Sequence, residues 1–176
     1  MNADLFVLLL IIFQLNDPTL KQAFNVNINS NKIVGFVDAA HANDLRKHRS
    51  TTGIVFTFMG GAVVYKSKTQ SITASSSTEA EFVAAHIAAK IAQYLQMLLK
   101  QLRYEQKDPT PIHSDNLRAL RMINDNTSPT ERVRHVDISF FQLQDRRLDG
   151  NIIMIHIRGM LNISDIETKP LGFVLH

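Results

Sequence analysis

The sequence predicts an α/β domain: a mixed five-stranded sheet, three antiparallel strands followed by parallel ones, with helices packed on it. Three observations carry that expectation. Three consecutive runs rich in valine, isoleucine and aromatics come before any long helical pattern. An apolar stripe of helical period then runs from about Ser77 to Arg103. Two further short apolar runs alternate with helical segments, as parallel strands joined by helices do. With 176 residues, 45% of them hydrophobic, the chain is of single-domain size and has ample material for a core.

The elements follow in order. The opening "LFVLLLIIF", Leu5 to Phe13, is broken by Asp17 and Pro18, and "NINSNK" from Asn27 reads as a turn. No basic residue precedes this apolar run and no small-x-small site follows it, so it reads as a buried strand or helix, or as a misread gene start, rather than a signal peptide. The next runs, "KIVGFVDAA" (Lys32 to Ala40), "TTGIVFTFM" (Thr51 to Met59) and "AVVYKSK" (Ala62 to Lys68), form an antiparallel meander with Gly60 and Gly61 at its second turn. The long helix follows, with its stripe at Ala85, Ala88, Ala92, Leu95, Leu99 and Leu102. A short strand at "TPIHSD", a helix from Asn116 to about Asn124, a turn at "NDNTSPT" and a helix over roughly Val133 to Leu148 come next. The strand "NIIMIHI", Asn151 to Ile157, precedes a short terminal helix near Asp165.

Composition narrows the chemistry. The chain has no cysteine, which excludes disulfides, thiolate zinc sites and a cysteine nucleophile, and which suits a reducing intracellular compartment, cytoplasmic or nuclear. Any metal must be held by oxygen or imidazole. The net charge is +3 and the pI about 9.3, with basic clusters at "LRKHR", "YKSK" and "DRR" that suit a polyanion-facing side. Nothing after the opening run suggests a membrane.

Four carboxylates stand out. Asp38 and Asp115 end the first and fourth predicted strands, where ligand sites of open sheets gather. Glu81 lies four residues before Ala85 and so on the inward stripe of the long helix, whereas Glu79 is rotated by about 200° onto the face of His86, Lys90 and Gln93. Asp165 opens the last helix. Each has an ordinary role open to it. Asp38 and Asp115 can form turns, and Asp165 can favour the helix dipole. Ser76 with Glu79 and Thr78 with Glu81 fit a capping box equally well. If the four converge, a divalent cation with oxygen ligands relieves their repulsion, and two such ions can activate water against a phosphodiester.

From about Gly35 to Leu171 the chain resembles the ribonuclease H domain of Copia-type retrotransposon polyproteins. The resemblance is carried by "GFVDAAHAND", "RSTTGIVFTFMGGAVVYKSKTQ", "SSTEAEFVAA", "HSDNLRAL", "RVRHVDI" and "NISDIETKPL", six blocks in the family's order. Residues 1–30 match poorly, leaving 31–176 as the ribonuclease H-like domain. The resemblance implies a ribonuclease H fold and a metal site at Asp38, Glu81, Asp115 and Asp165, which assigns Glu81 to metal and Glu79 to the cap. It also implies magnesium or manganese, two ions, an RNA:DNA hybrid as substrate and a reverse transcriptase domain in the parent polyprotein. Lys66, Lys68, Arg132 and Arg134 are then candidates for phosphate contacts, and Ser76, Thr78 and Asn116 for the ribose hydroxyls. The chain departs from the family at Ala40 and His41, at Phe140 and Phe141 where a histidine is common, and at Ser164 and Glu167 in the last block. The leading expectation is an endonuclease cutting the RNA of hybrids. The alternative is a decayed or co-opted remnant that binds nucleic acid without cutting.

Overall fold

In the computed structural model, residues 31–44, 46, 48–125 and 137–168 are described. The opening apolar run, the turn at Asn27, the start of the helix expected from Val133, and Arg132, Arg134 and His135 all lie outside these residues. Five strands form one sheet: β1 (Ile33–Asp44), β2 (Arg49–Phe58), β3 (Gly61–Thr69), β4 (Thr110–Ser114) and β5 (Ile152–His156), in the order β3-β2-β1-β4-β5. The first three pair antiparallel, and β1–β4 and β4–β5 pair parallel, as the sequence predicts. Among the described residues three α-helices pack with the sheet: α1 (Ser77–Gln101), α2 (Leu117–Asn124) and α3 (Asp137–Leu148).

Two expectations about elements need correction. Asp38 does not end β1, because the strand continues through an irregular hairpin to Asp44, with a register shift after Ala40. The Ala42 amide is satisfied there by Ser50 Oγ at 3.1 Å, which lets the chain continue past the last regular pair. The terminal element is not an α-helix but two short 3₁₀ turns, Gly159–Leu161 and Ile163–Glu167. Asn162 caps the second turn, its side-chain oxygen accepting from the Ser164 amide, so Asp165 is inside that turn rather than at its start.

The core lies between the sheet and α1. Ile33, Val37, Ile54, Phe56 and Phe58 from the strands are fully buried against Ala85, Ala88, Ala92, Leu95 and Leu99 of the predicted stripe. The first half of α1 is buried on more than that stripe: Glu79, Phe82 and His86 are also inside. Phe82 and His86 are covered by α3, with Phe140 stacked on Phe82 at a centroid distance of 5.1 Å and the Ser139 backbone bonded to His86. Alanines between these residues allow close approach of both layers. By length and hydropathy alone α1 could span a bilayer, but here it is the central helix of the core.

Candidate metal centre

Strand register builds the first half of the site. β1 and β4 run parallel with Phe36 opposite His113, so two residues further along Asp38 and Asp115 stand level, Asp115 in the first position beyond the end of β4. Burial holds His113 below its ordinary pKa, and its ring is stacked on Phe36. It is a packing residue. Glu81 enters from the second turn of α1, which crosses β1. As a result Asp38, Glu81 and Asp115 each offer a carboxylate oxygen, and the three oxygens lie within 4.8 Å of one another. Asp38 and Glu81 are buried and Asp115 is half-buried. They line an open cleft of about 490 Å³ together with Ser77, Thr78, Asn116 and Arg118.

Glu79 has a different place. Its carboxylate accepts from the Ser75 amide and hydroxyl, both at 2.6 Å, while its own amide donates to Ser76 Oγ at 3.2 Å. This is a capping box displaced by one residue, since the carboxylate reaches the amide before the N-cap instead of the N-cap amide itself. Glu79 is itself buried, although Ser75 and Ser76 are exposed.

Asp165 is not among the three carboxylates that share the 4.8 Å cluster. What its turn presents to Asp38 is Thr168, whose hydroxyl donates to Asp38 Oδ2 and also lies 3.2 Å from the Asp165 carbonyl oxygen. The turn is tied to the sheet by Asn162, whose Nδ2 donates to the Val37 carbonyl at 3.0 Å, and by Ser67, whose hydroxyl donates to the Glu167 carbonyl. Close approach is possible because Gly53, the ladder partner of Asp38, has no side chain: a Cβ there would lie 2.6 Å from Thr168 Cγ2 and 2.7 Å from the Ser164 carbonyl oxygen. Gly159 gives similar room to Asp115, whose Oδ2 would be 3.1 Å from a Cβ at that position.

The other candidates are scattered. Thr78 and Asn116 line the carboxylate cleft. The Asn116 side chain also accepts from the Arg118 and Ala119 amides as the N-cap of α2. Ser76 is occupied as the N-cap of α1, and Ser77 takes the place in the cleft that the sequence suggested for it. Lys68 lines a second open cleft with Asn43, Ser67, Glu167 and Thr168, so Thr168 is common to that cleft and to the Asp38 contact. Lys66 lies half-buried on β3, opposite Ile54. Sequence reasoning missed Ser77, Arg118, Asn162 and Thr168. Ser77, between Ser76 and Thr78, and Arg118, two residues after Asn116, were within reach.

Comparison with known proteins agrees with this architecture. No family model matches the chain. It is 32% identical over 135 residues to the retrovirus-related Pol polyprotein from transposon TNT 1-94 of Nicotiana tabacum, which spans 77% of this chain. It is 29% identical over 143 residues to the Ty1-NL2 Gag-Pol polyprotein of Saccharomyces cerevisiae, 80% of this chain. The chain spans about a tenth of the length of these curated relatives, 10% and 8% respectively. Among solved structures, LC11-RNase H1, isolated from compost, in its complex with an RNA/DNA hybrid superposes with a TM-score of 0.58 at 17% identity, over 78% of this chain and 93% of that one.

Proposed function

This chain is a relative of retrotransposon Pol polyproteins and has a ribonuclease H fold, and from that premise we propose that it is a divalent-metal-dependent endonuclease hydrolysing the RNA strand of RNA:DNA hybrids. The observation that carries the reading is the meeting of Asp38, Glu81 and Asp115 within 4.8 Å. Three carboxylates brought together, two of them buried, form an all-oxygen donor set that suits magnesium or manganese rather than softer metals. These three residues would hold the metal, and Asp165, outside the three-acid cluster, is the further acid proposed for a second ion. When bound, such ions supply an activated water and neutralise the charge that develops on the phosphodiester.

The chain's own groups bind and orient the substrate. Ser77, Thr78 and Asn116 offer hydroxyl and amide groups along the cleft to ribose hydroxyls, the feature that separates RNA from DNA. Arg118 at the cleft and Lys68 in the neighbouring one offer cations to phosphates on either side. A reverse transcriptase domain in the parent polyprotein is the natural partner, in the cytoplasm or nucleus.

One observation favours the alternative of a non-cutting remnant. Glu167 lies beside Thr168 in the second cleft, bringing a further acid next to a group that touches Asp38. Cleavage of a labelled RNA:DNA hybrid in magnesium or manganese decides between them. The endonuclease cuts the RNA strand, and Asp38→Asn abolishes cutting. A chain that binds the hybrid without cutting, and that gains cutting on Glu167→Leu, is the remnant; a chain that neither binds nor cuts in either form overturns the nuclease reading.

A further inference from the structure

We infer that Thr168 is a positioning residue of the proposed metal site, its hydroxyl fixing the orientation of the Asp38 carboxylate. The inference rests on the reading of the carboxylate cluster as a metal centre and adds a residue to it.

Asp38 is buried, with only 2% of its surface exposed, so water cannot be relied on to hold its carboxylate. The torsion that turns an aspartate carboxylate is intrinsically soft and has no sharp rotamer. A fixed donor on one oxygen removes that freedom, and Thr168 Oγ1 is such a donor to Asp38 Oδ2. Its hydroxyl has one proton, and Asp38 is the nearer of its two partners, the Asp165 carbonyl lying at 3.2 Å.

Both arms of the branched side chain are constrained. The methyl group occupies the space left by the missing side chain of Gly53, where a Cβ would be 2.6 Å from Cγ2. A β-branched side chain is stiff at χ1, so seating the methyl also directs the hydroxyl. Gly53 is itself the ladder partner of Asp38, so the notch and the carboxylate belong to one rung of the sheet. The peptide group that precedes the residue is held on both sides: Thr168 N donates to the Asp165 carbonyl at 3.1 Å, and Ser67 Oγ donates to the Glu167 carbonyl. Thr168 is itself buried. Groups that hydrogen-bond a metal-ligating side chain typically contribute about 10–100-fold to metal affinity.

The test is manganese binding to the full chain, measured by electron paramagnetic resonance without nucleic acid, for wild type, Thr168→Val and Thr168→Ser. Valine keeps the branched shape and loses the donor; serine keeps the donor and loses the methyl. The expected result is at least about tenfold weaker binding in Thr168→Val with a clearly smaller loss in Thr168→Ser, each apo protein being folded by its cooperative melt. If Thr168→Val does not fold, Thr168→Ala against Thr168→Ser gives the same contrast. Equal affinity in wild type and the valine variant overturns the inference while leaving the metal centre standing. So does a serine variant as weak as valine. A wild type that binds no manganese overturns the metal centre itself, and the role of Thr168 falls with it.

Discussion

Asn162 Nδ2 donates to the carbonyl oxygen of Val37 at 3.0 Å, a bond between residues 125 apart that ties the C-terminal turn to the strand one residue before Asp38. Asn162 is buried, and its side-chain oxygen accepts from the amide and hydroxyl of Ser164, at 3.3 and 2.6 Å. Asn162→Ala removes all three bonds at once. Burying unsatisfied partners costs about 1–3 kcal/mol, so urea denaturation should show a fall of that size in unfolding free energy. An unchanged midpoint would mean that the turn is not held through this side chain.

Gly53 provides a steric counterpart. The contacts that a Cβ would make include a backbone carbonyl, that of Ser164, which cannot swing aside as a side chain can. Gly53→Ala should therefore push the turn outward, lowering stability by roughly 1–3 kcal/mol. The same change at Gly61, where a Cβ meets only the Phe58 carbonyl at 3.9 Å, should stay within about 0.5 kcal/mol. Paired thermal melts of the two variants check the contrast.

His86 makes stability depend on pH. Burial, and then the nearby Lys90 and Arg146 charges, lower its pKa from 6.5 to about 4, against a raising hydrogen bond to the Ser139 backbone. Its Nδ1 has no hydrogen-bond partner, so protonation would place a donor without an acceptor in the interior. The unfolded chain binds this proton more readily, so the contribution is complete above pH 6.5 and is lost as pH falls towards 4. The loss is at most about 3 kcal/mol. Unfolding free energies across that window should rise with pH, and His86→Leu should flatten the part of the slope due to the imidazole.

The carboxylate cluster predicts a response to metal. Magnesium or manganese should raise the melting temperature by binding the native form. Asp115→Asn removes one charge of the three that meet within 4.8 Å and should reduce that gain. Differential scanning fluorimetry with and without metal is sufficient. A gain equal to that of wild type would take Asp115 out of the centre.

Much of this arrangement was legible because it is local. The runs rich in valine, isoleucine and aromatics identify the first three strands, and the stripe from Ala85 to Leu99 orients α1 so that Glu81 faces the sheet. Ser76 followed by Glu79 marks the start of that helix, although a second capping box from Thr78 competes with it in sequence. That competition is settled by the fold, where Glu81 joins Asp38 and Asp115 while Glu79 bonds to Ser75. Burial of Phe82 and His86 was not legible, because it depends on where α3 docks.

By itself, then, the sequence determined the five strands, the three α-helices, their order and the carboxylates at the end of β4 and near the end of the regular β1 ladder, but not the 3₁₀ form of the last turns, since periodicity, capping and strand propensity act over a few residues. Tertiary structure alone decided which acids meet and what holds them. The parallel register of β1 with β4 sets Asp38 level with Asp115. The notch at Gly53 admits a turn that brings Thr168 onto Asp38 from 130 residues away and leaves the Asp165 carboxylate outside the three-acid cluster. Contacts of that kind depend on register and on the absence of a single side chain, and neither leaves a periodic trace in the residues that meet.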